Sequence, residues 1–91
     1  MNKMELVAGI AEKSNLSKKD AELALEGMIM TISEALEEGE KVQLVGFGTF
    51  DVGTRKARTG RNPRTGEEIE IPASKLPRFK AGKSLKDRVN A

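Results

Sequence analysis

Arg55, Lys56, Arg58, Arg61 and Arg64 fall within residues 53–66, a stretch with no acid, in which Ala57 and Pro63 are the only apolar side chains. Five cations with nothing beside them to neutralise suit a polyanion better than a reaction centre. Bond chemistry finds little elsewhere. The chain has no Cys and no His, which removes disulfides, thiolate metal sites, the commonest general base and the commonest metal ligand. Ala81-Gly82-Lys83-Ser84 has the ending of a phosphate-binding loop, but that loop needs Gly five positions before Gly82, where Pro77 stands. Only seven residues follow Ser84, too few for the strands and the magnesium-binding acid of a nucleotidase. Gly46, Gly48 and Gly53 lack the spacing of a dinucleotide fingerprint and read as turn and twist positions. No catalytic, cofactor or metal site and no small-molecule substrate is expected, so the chain reads as a non-enzyme.

The charge is divided along the chain. Residues 1–52 hold five Lys against ten Asp/Glu, net −5, and residues 53–91 hold eleven Lys/Arg against four acids, net +7. A basic region is thus offered to a polyanion while an acidic remainder stays solvated. Apolar residues make up 37% and charged residues 33%, with three Phe and no Trp or Tyr. Ninety-one residues fit one domain, but so lean a chain buries little core alone and gains from a partner chain. No apolar run is long enough for a membrane span. Met1-Asn2-Lys3-Met4-Glu5 has no apolar signal core, so a cytoplasmic chain is expected.

Local patterns name the elements that must position the cations. Asn2 with Glu5 three residues on forms an N-cap, and Leu6, Val7, Ile10 and Ala11 then share a helical face. Ser14-Asn15 breaks the run. Leu16 is placed as an apolar staple, with Ser17 as the next N-cap and Asp20 at the third helical position. Ala21, Leu25, Met28, Ile29, Ile32 and Leu36 recur every three or four residues until Gly39 stops the helix. Leu23 and Met30 lie outside that stripe and suggest apolar contact on a second side. The acids of this helix (Asp20, Glu22, Glu26, Glu34, Glu37, Glu38) mark a solvated face, and they argue against a DNA-reading helix because they would repel phosphate.

After Gly39 the period becomes that of a strand. Val42 and Leu44 alternate with Lys41 and Gln43, and Gly46-Phe47-Gly48 turns into Thr49-Phe50-Asp51-Val52. Asn62-Pro63-Arg64-Thr65-Gly66 is turn chemistry, and alternation resumes at Ile69 and Ile71. Pro72 and Pro77 bracket a short stretch, and Lys83 to Val89 closes the chain as a short helix. Strand alternation puts Arg55 and Arg61 on one face of the basic hairpin and Arg58 and Arg64 on the other. With both faces charged, the hairpin is expected to project into solvent rather than pack. Such a ribbon fits a DNA groove, and Arg suits a narrow, negative minor groove. Phe47, Phe50 and Phe79 read as core or dimer contacts rather than as a stacking platform for single strands.

Gly46-Phe47-Gly48-Thr49-Phe50, then Ala57-Arg58-Thr59-Gly60-Arg61-Asn62-Pro63, then Thr65-Gly66 closely resemble the signature of the bacterial histone-like HU/integration host factor family. The resemblance runs from Met1-Asn2-Lys3 to Lys83-Ser84-Leu85-Lys86-Asp87. It implies a single α+β domain over 1–91: a helical hairpin base (1–40), then a three-stranded antiparallel sheet, a long protruding β-ribbon arm (about 53–74) and a short C-terminal helix (41–91). It implies an intertwined homodimer, with a heterodimer between paralogues as a variant, and a dimer core of Leu25, Met28, Ile29, Ile32, Leu36, Leu44, Phe47, Phe50 and Phe79. The implied partner is double-stranded DNA of the nucleoid, bound in the minor groove with little sequence preference, bent and compacted. Arg55, Arg58, Arg61, Asn62 and Arg64 would line the groove, Pro63 would wedge between base pairs, and Lys3, Lys80, Lys83 and Lys86 would hold flanking phosphates. Arg78 and Arg88 add charge where the family pattern is loose and receive no contact. Two other readings stay open: a site-selective bending protein like integration host factor, which the Ala57-Arg58-Thr59-Gly60 stretch disfavours, and a protein-interaction module whose basic arm docks an acidic partner.

Overall fold

The computed structural model describes residues 1–91, which divide into two compact units, Met1–Ala35 and Leu36–Ala91. In the first, helix α1 spans Lys3–Ser14, and the Asn2 side chain accepts the Glu5 amide at 2.9 Å. It ends where Asn15 turns left-handed (φ 60°) and the Leu16 amide reaches back to the Ala11 carbonyl at 3.1 Å. Helix α2 spans Lys18–Glu37 and starts with the Ser17 hydroxyl accepting the Asp20 amide at 3.1 Å. Gly39 (φ 79°) follows it, its amide donating to the Leu36 carbonyl.

Val7, Ala11, Ala21 and Leu25 form the core of this hairpin, with Ile10 packed against it. The apolar stripe of α2 is only half covered. Ala21 and Leu25 are buried, whereas Met28 and Ile29 are about half exposed, as are Leu23 and Met30 outside the stripe. Ile32 and Leu36 are intermediate. Length explains it. The twelve residues of α1 reach about 18 Å and the twenty of α2 about 30 Å, and the Lys3–Glu26 ion pair marks where the start of α1 lies along α2. Beyond Glu26 nothing in α1 can cover α2.

In the second unit, β1 (Val42–Leu44), β2 (Gly48–Arg55) and β5 (Ser74–Ala81) form an antiparallel sheet in the order β1-β2-β5. Gly46 (φ 84°) shapes the turn from β1, closed by the Phe47 amide on the Leu44 carbonyl at 2.9 Å. β5 runs straight through Pro77, which faces Val52. As an edge strand it tolerates a residue without an amide hydrogen. Phe50 lies opposite Phe79, their ring centroids 4.8 Å apart, and Val42 lies opposite Phe50, so one side of the sheet is apolar. Gln43, Thr49, Asp51, Arg78 and Lys80 alternate to the other side. Helix α3 (Lys83–Val89) follows Gly82, whose amide donates to the Phe47 carbonyl at 2.8 Å.

The β2–β5 ladder ends at Arg55 opposite Ser74. A separate two-stranded ribbon, β3 (Arg58–Arg61) with β4 (Glu68–Ile71), begins at Arg58 opposite Ile71. Lys56-Ala57 and Pro72-Ala73 lie between the two ladders. This interruption limits how far the expected parity of the arginines runs. Arg55 belongs to β2 and Arg64 to the tip turn, so only Arg58 and Arg61 are ribbon positions, and they fall on opposite faces. Nor are both faces wholly charged. Gly60 lies opposite Ile69 and Arg58 opposite Ile71, which gives one face an isoleucine stripe. Gly60 makes room for it, since a Cβ there would stand 2.9 Å from the Ile71 Cδ1.

Candidate nucleic-acid interface

The ribbon tip is built by local hydrogen bonds. The Asn62 amide donates to the Glu67 carbonyl and the Gly66 amide to the Asn62 carbonyl, both at 2.8 Å. The Asn62 Oδ1 accepts the Arg64 amide at 2.9 Å, and the Thr65 hydroxyl accepts the Glu67 amide at 3.3 Å. Gly66 takes φ 73°, which a side chain would resist. Pro63 is thereby held exposed at the outermost turn, with no donor and a fixed φ.

Arg55, Arg58, Arg61 and Arg64 are exposed, and none of the chain's ion pairs uses them. Glu68 faces Arg61 and Glu70 faces Thr59 across the ribbon, which limits the net charge of that face without binding the guanidinium groups. Free arginines on a ribbon narrow enough for a groove can bind phosphate and a negative minor groove.

The lysines assigned to the body are placed differently from one another. Lys83 opens α3, Lys86 lies three residues on along the same face, and both are exposed. Lys80 is exposed on the polar side of the sheet, its Nζ 3.9 Å from the Asp51 carboxylate. Lys3 lies in the first unit and pairs with Glu26 at 3.2 Å. That pair is open to solvent and contributes little to stability. Among the residues assigned to the dimer core, Leu25 is buried, Phe50 is intermediate, and Leu44, Phe47 and Phe79 are more than a third exposed in the single chain.

One pair was missed by sequence reasoning. Asp51 is buried, and its Oδ1 accepts a hydrogen bond from Arg78 Nε at 2.9 Å. The hydrogen bond from Arg78 holds the Asp51 carboxyl below the usual carboxylate range; the charges of Arg78, Lys80 and Lys41 add to this and partial burial opposes it. Aligning Phe50 with Phe79 would have placed Asp51 opposite Arg78, so the signal lay in the strand register.

The bacterial DNA-binding protein family matches residues 1–90. The DNA-binding protein HU of Clostridium pasteurianum is 66% identical over 90 residues, covering 99% of both chains. DNA-binding protein HU 1 of Bacillus subtilis is 62% identical over 89 residues, covering 98% of this chain and 97% of its own. Among solved structures, the HU of the Anabaena HU–DNA cocrystal is similar at a TM-score of 0.89 with 52% identity, over 98% of this chain and 97% of that one. The fold, the ribbon with its free arginines and these full-length likenesses agree: this chain belongs to the bacterial HU family of DNA-binding proteins.

Proposed function

We propose that this protein is a histone-like architectural DNA-binding protein. As a dimer it grips double-stranded DNA through two ribbon arms in the minor groove, bends it and compacts the nucleoid. The observation that carries this reading is the ribbon of unpaired arginines tipped by a rigid, exposed Pro63, on a chain closely similar to an HU crystallised with DNA. It works in the bacterial cytoplasm, without catalysis and with residues 1–91 acting as one functional domain.

The mechanism follows from the groups present. Arg55, Arg58, Arg61 and Arg64, with Asn62, supply charge and donors to phosphates and to a minor groove whose hydrogen-bonding pattern barely distinguishes one base pair from another, so the grip is general. Pro63 supplies an apolar wedge whose insertion unstacks a base step and kinks the duplex. The bent duplex then meets Lys3, Lys80, Lys83 and Lys86, whose phosphate contacts offset the unstacking. Dimerisation supplies the second arm, and the bare half of α2 (Met28, Ile29, Met30) is the apolar surface available for it.

Fluorescence energy transfer across end-labelled duplexes of unrelated sequence, at two salt concentrations, tests the reading. Bending of every duplex, weakened steeply by salt, is expected. Bending of a few sequences alone would indicate a site-selective protein, and absence of duplex binding would leave the arm as a dock for an acidic protein.

A further inference from the structure

We propose that Arg78 is a phosphate contact on the sheet and that Asp51 is the residue that positions it. The proposal rests on the DNA-binding reading above and adds a contact outside the arm and outside the lysines already assigned. Alternation along β2 sends Asp51, Gly53 and Arg55 to one side, and their partners on β5 are Arg78, Leu76 and Ser74. Lys80, opposite Thr49, shares that side. Arg78 therefore lies on the same surface as Arg55 and Lys80, two candidate DNA contacts, while Phe50, Val52 and Phe79 occupy the reverse.

Two residues fix where the Arg78 guanidinium sits. Asp51, whose side chain is only 11% exposed, accepts from Nε at 2.9 Å. Gly53 leaves the space the guanidinium fills: a Cβ at that position would stand 2.9 Å from its Cζ and 3.0 Å from Nε and Nη1. The Arg78 side chain is half exposed, and with only Nε engaged the donors of its two terminal nitrogens stay open to an incoming anion. A fork already held in place loses less freedom on binding phosphate than a free side chain does. Charge favours the same outcome, since one carboxylate faces both Arg78 and Lys80 and leaves the cluster cationic.

The test is the affinity of the full-length protein for a random-sequence duplex, by fluorescence anisotropy over a salt series, with thermal melts verifying that each variant is folded. Arg78→Gln is expected to weaken binding roughly ten-fold at low salt. Its plot of log K against log salt should be shallower by about 1.8, one phosphate from each protomer of a dimer. Arg78→Lys is expected to restore the slope but not the full affinity. Asp51→Asn keeps an acceptor for Nε and leaves the slope unchanged, whereas Asp51→Ala and Gly53→Ala release or displace the fork and weaken binding with little change of slope. A folded Arg78→Gln protein with the unmodified slope overturns this proposal alone. Failure of the unmodified chain to bind duplex overturns the DNA-binding reading with it.

Discussion

The Asn62 side-chain oxygen accepts the backbone amide of Arg64 at 2.9 Å, so the two residues flanking Pro63 are tied to each other. The tip is organised before any ligand arrives, and the tie does not require the proline ring. Pro63→Ala should therefore keep the tip turn, seen as unchanged amide exchange of Arg64 and Gly66, while clearly reducing the DNA bend angle. Affinity for straight duplex should fall only modestly, and duplex already kinked by a nick should be bound with less penalty. An unchanged bend with the turn intact would leave Pro63 as a turn former only.

Lys83 and Lys86 project from α3 with no ion-pair partner. If a dimer neutralises about eight phosphates, log K should fall with log salt at a slope of about −7. Lys83→Ala or Lys86→Ala should weaken binding to every sequence alike and make the slope shallower by up to about 1.8 for the two protomers. A loss confined to one sequence would contradict a phosphate contact.

The bare half of α2 leads to a prediction about assembly. With Met28, Ile29 and Met30 about half exposed or more in the single chain, the folded species should be a dimer whose melting temperature rises with protein concentration. Ile29→Asp should lower that temperature sharply and shift the sedimentation mass toward the monomer. A concentration-independent melt with a monomer mass would refute it.

Gly48 is packed without room for a methyl group. An added Cβ would stand 2.6 Å from the Lys80 carbonyl oxygen and press on the Phe79 ring. Since backbone lies on one side, Gly48→Ala should destabilise the fold by about 1–3 kcal/mol, read from urea unfolding. Gly66→Ala meets nothing within 4 Å but must hold a φ of 73°, so it should loosen the tip while leaving global stability nearly intact.

Acid should act on the sheet through Asp51. Its carboxyl is held below the ordinary value of 3.8, first by the hydrogen bond from Arg78. A folded pKa below the unfolded one gives stability that is present above 3.8 and lost as pH falls through the folded value. The stability difference between the unmodified protein and Asp51→Asn should thus be flat near neutrality and shrink below that pH. A difference that grows on acidification would contradict the pairing.

What could be read from the sequence was mostly local. The Asn2 and Ser17 caps, the Gly39 stop and the Asn62–Gly66 turn each depend on residues a few positions apart, and each formed as expected. β5 was obscured because Pro77 lies within it, and only its place at the sheet edge makes that tolerable. The Asp51–Arg78 pair spans 27 positions and needs the register of two strands, which no local pattern supplies. Alternation carried across residues 55–64 assumed one unbroken strand. It holds for Arg58 and Arg61, which fall on opposite faces, but does not reach Arg55 in β2 or Arg64 in the tip turn. Calling both faces charged overlooked that Ile69 and Ile71 make one of them partly apolar.

The interruption between the two ladders has a mechanical consequence. Lys56-Ala57 and Pro72-Ala73 lie at the same level, between the last pair of the sheet, Arg55 and Ser74, and the first pair of the ribbon, Arg58 and Ile71. Pro72 has no amide hydrogen to bridge the gap. Both strands lack ladder pairs at one height, so no pair of either ladder ties the ribbon to the sheet across that step. A stiff arm would fit a single curvature of the double helix. On the proposed DNA-binding reading, an arm untied at that step would adapt to more than one curvature of the duplex.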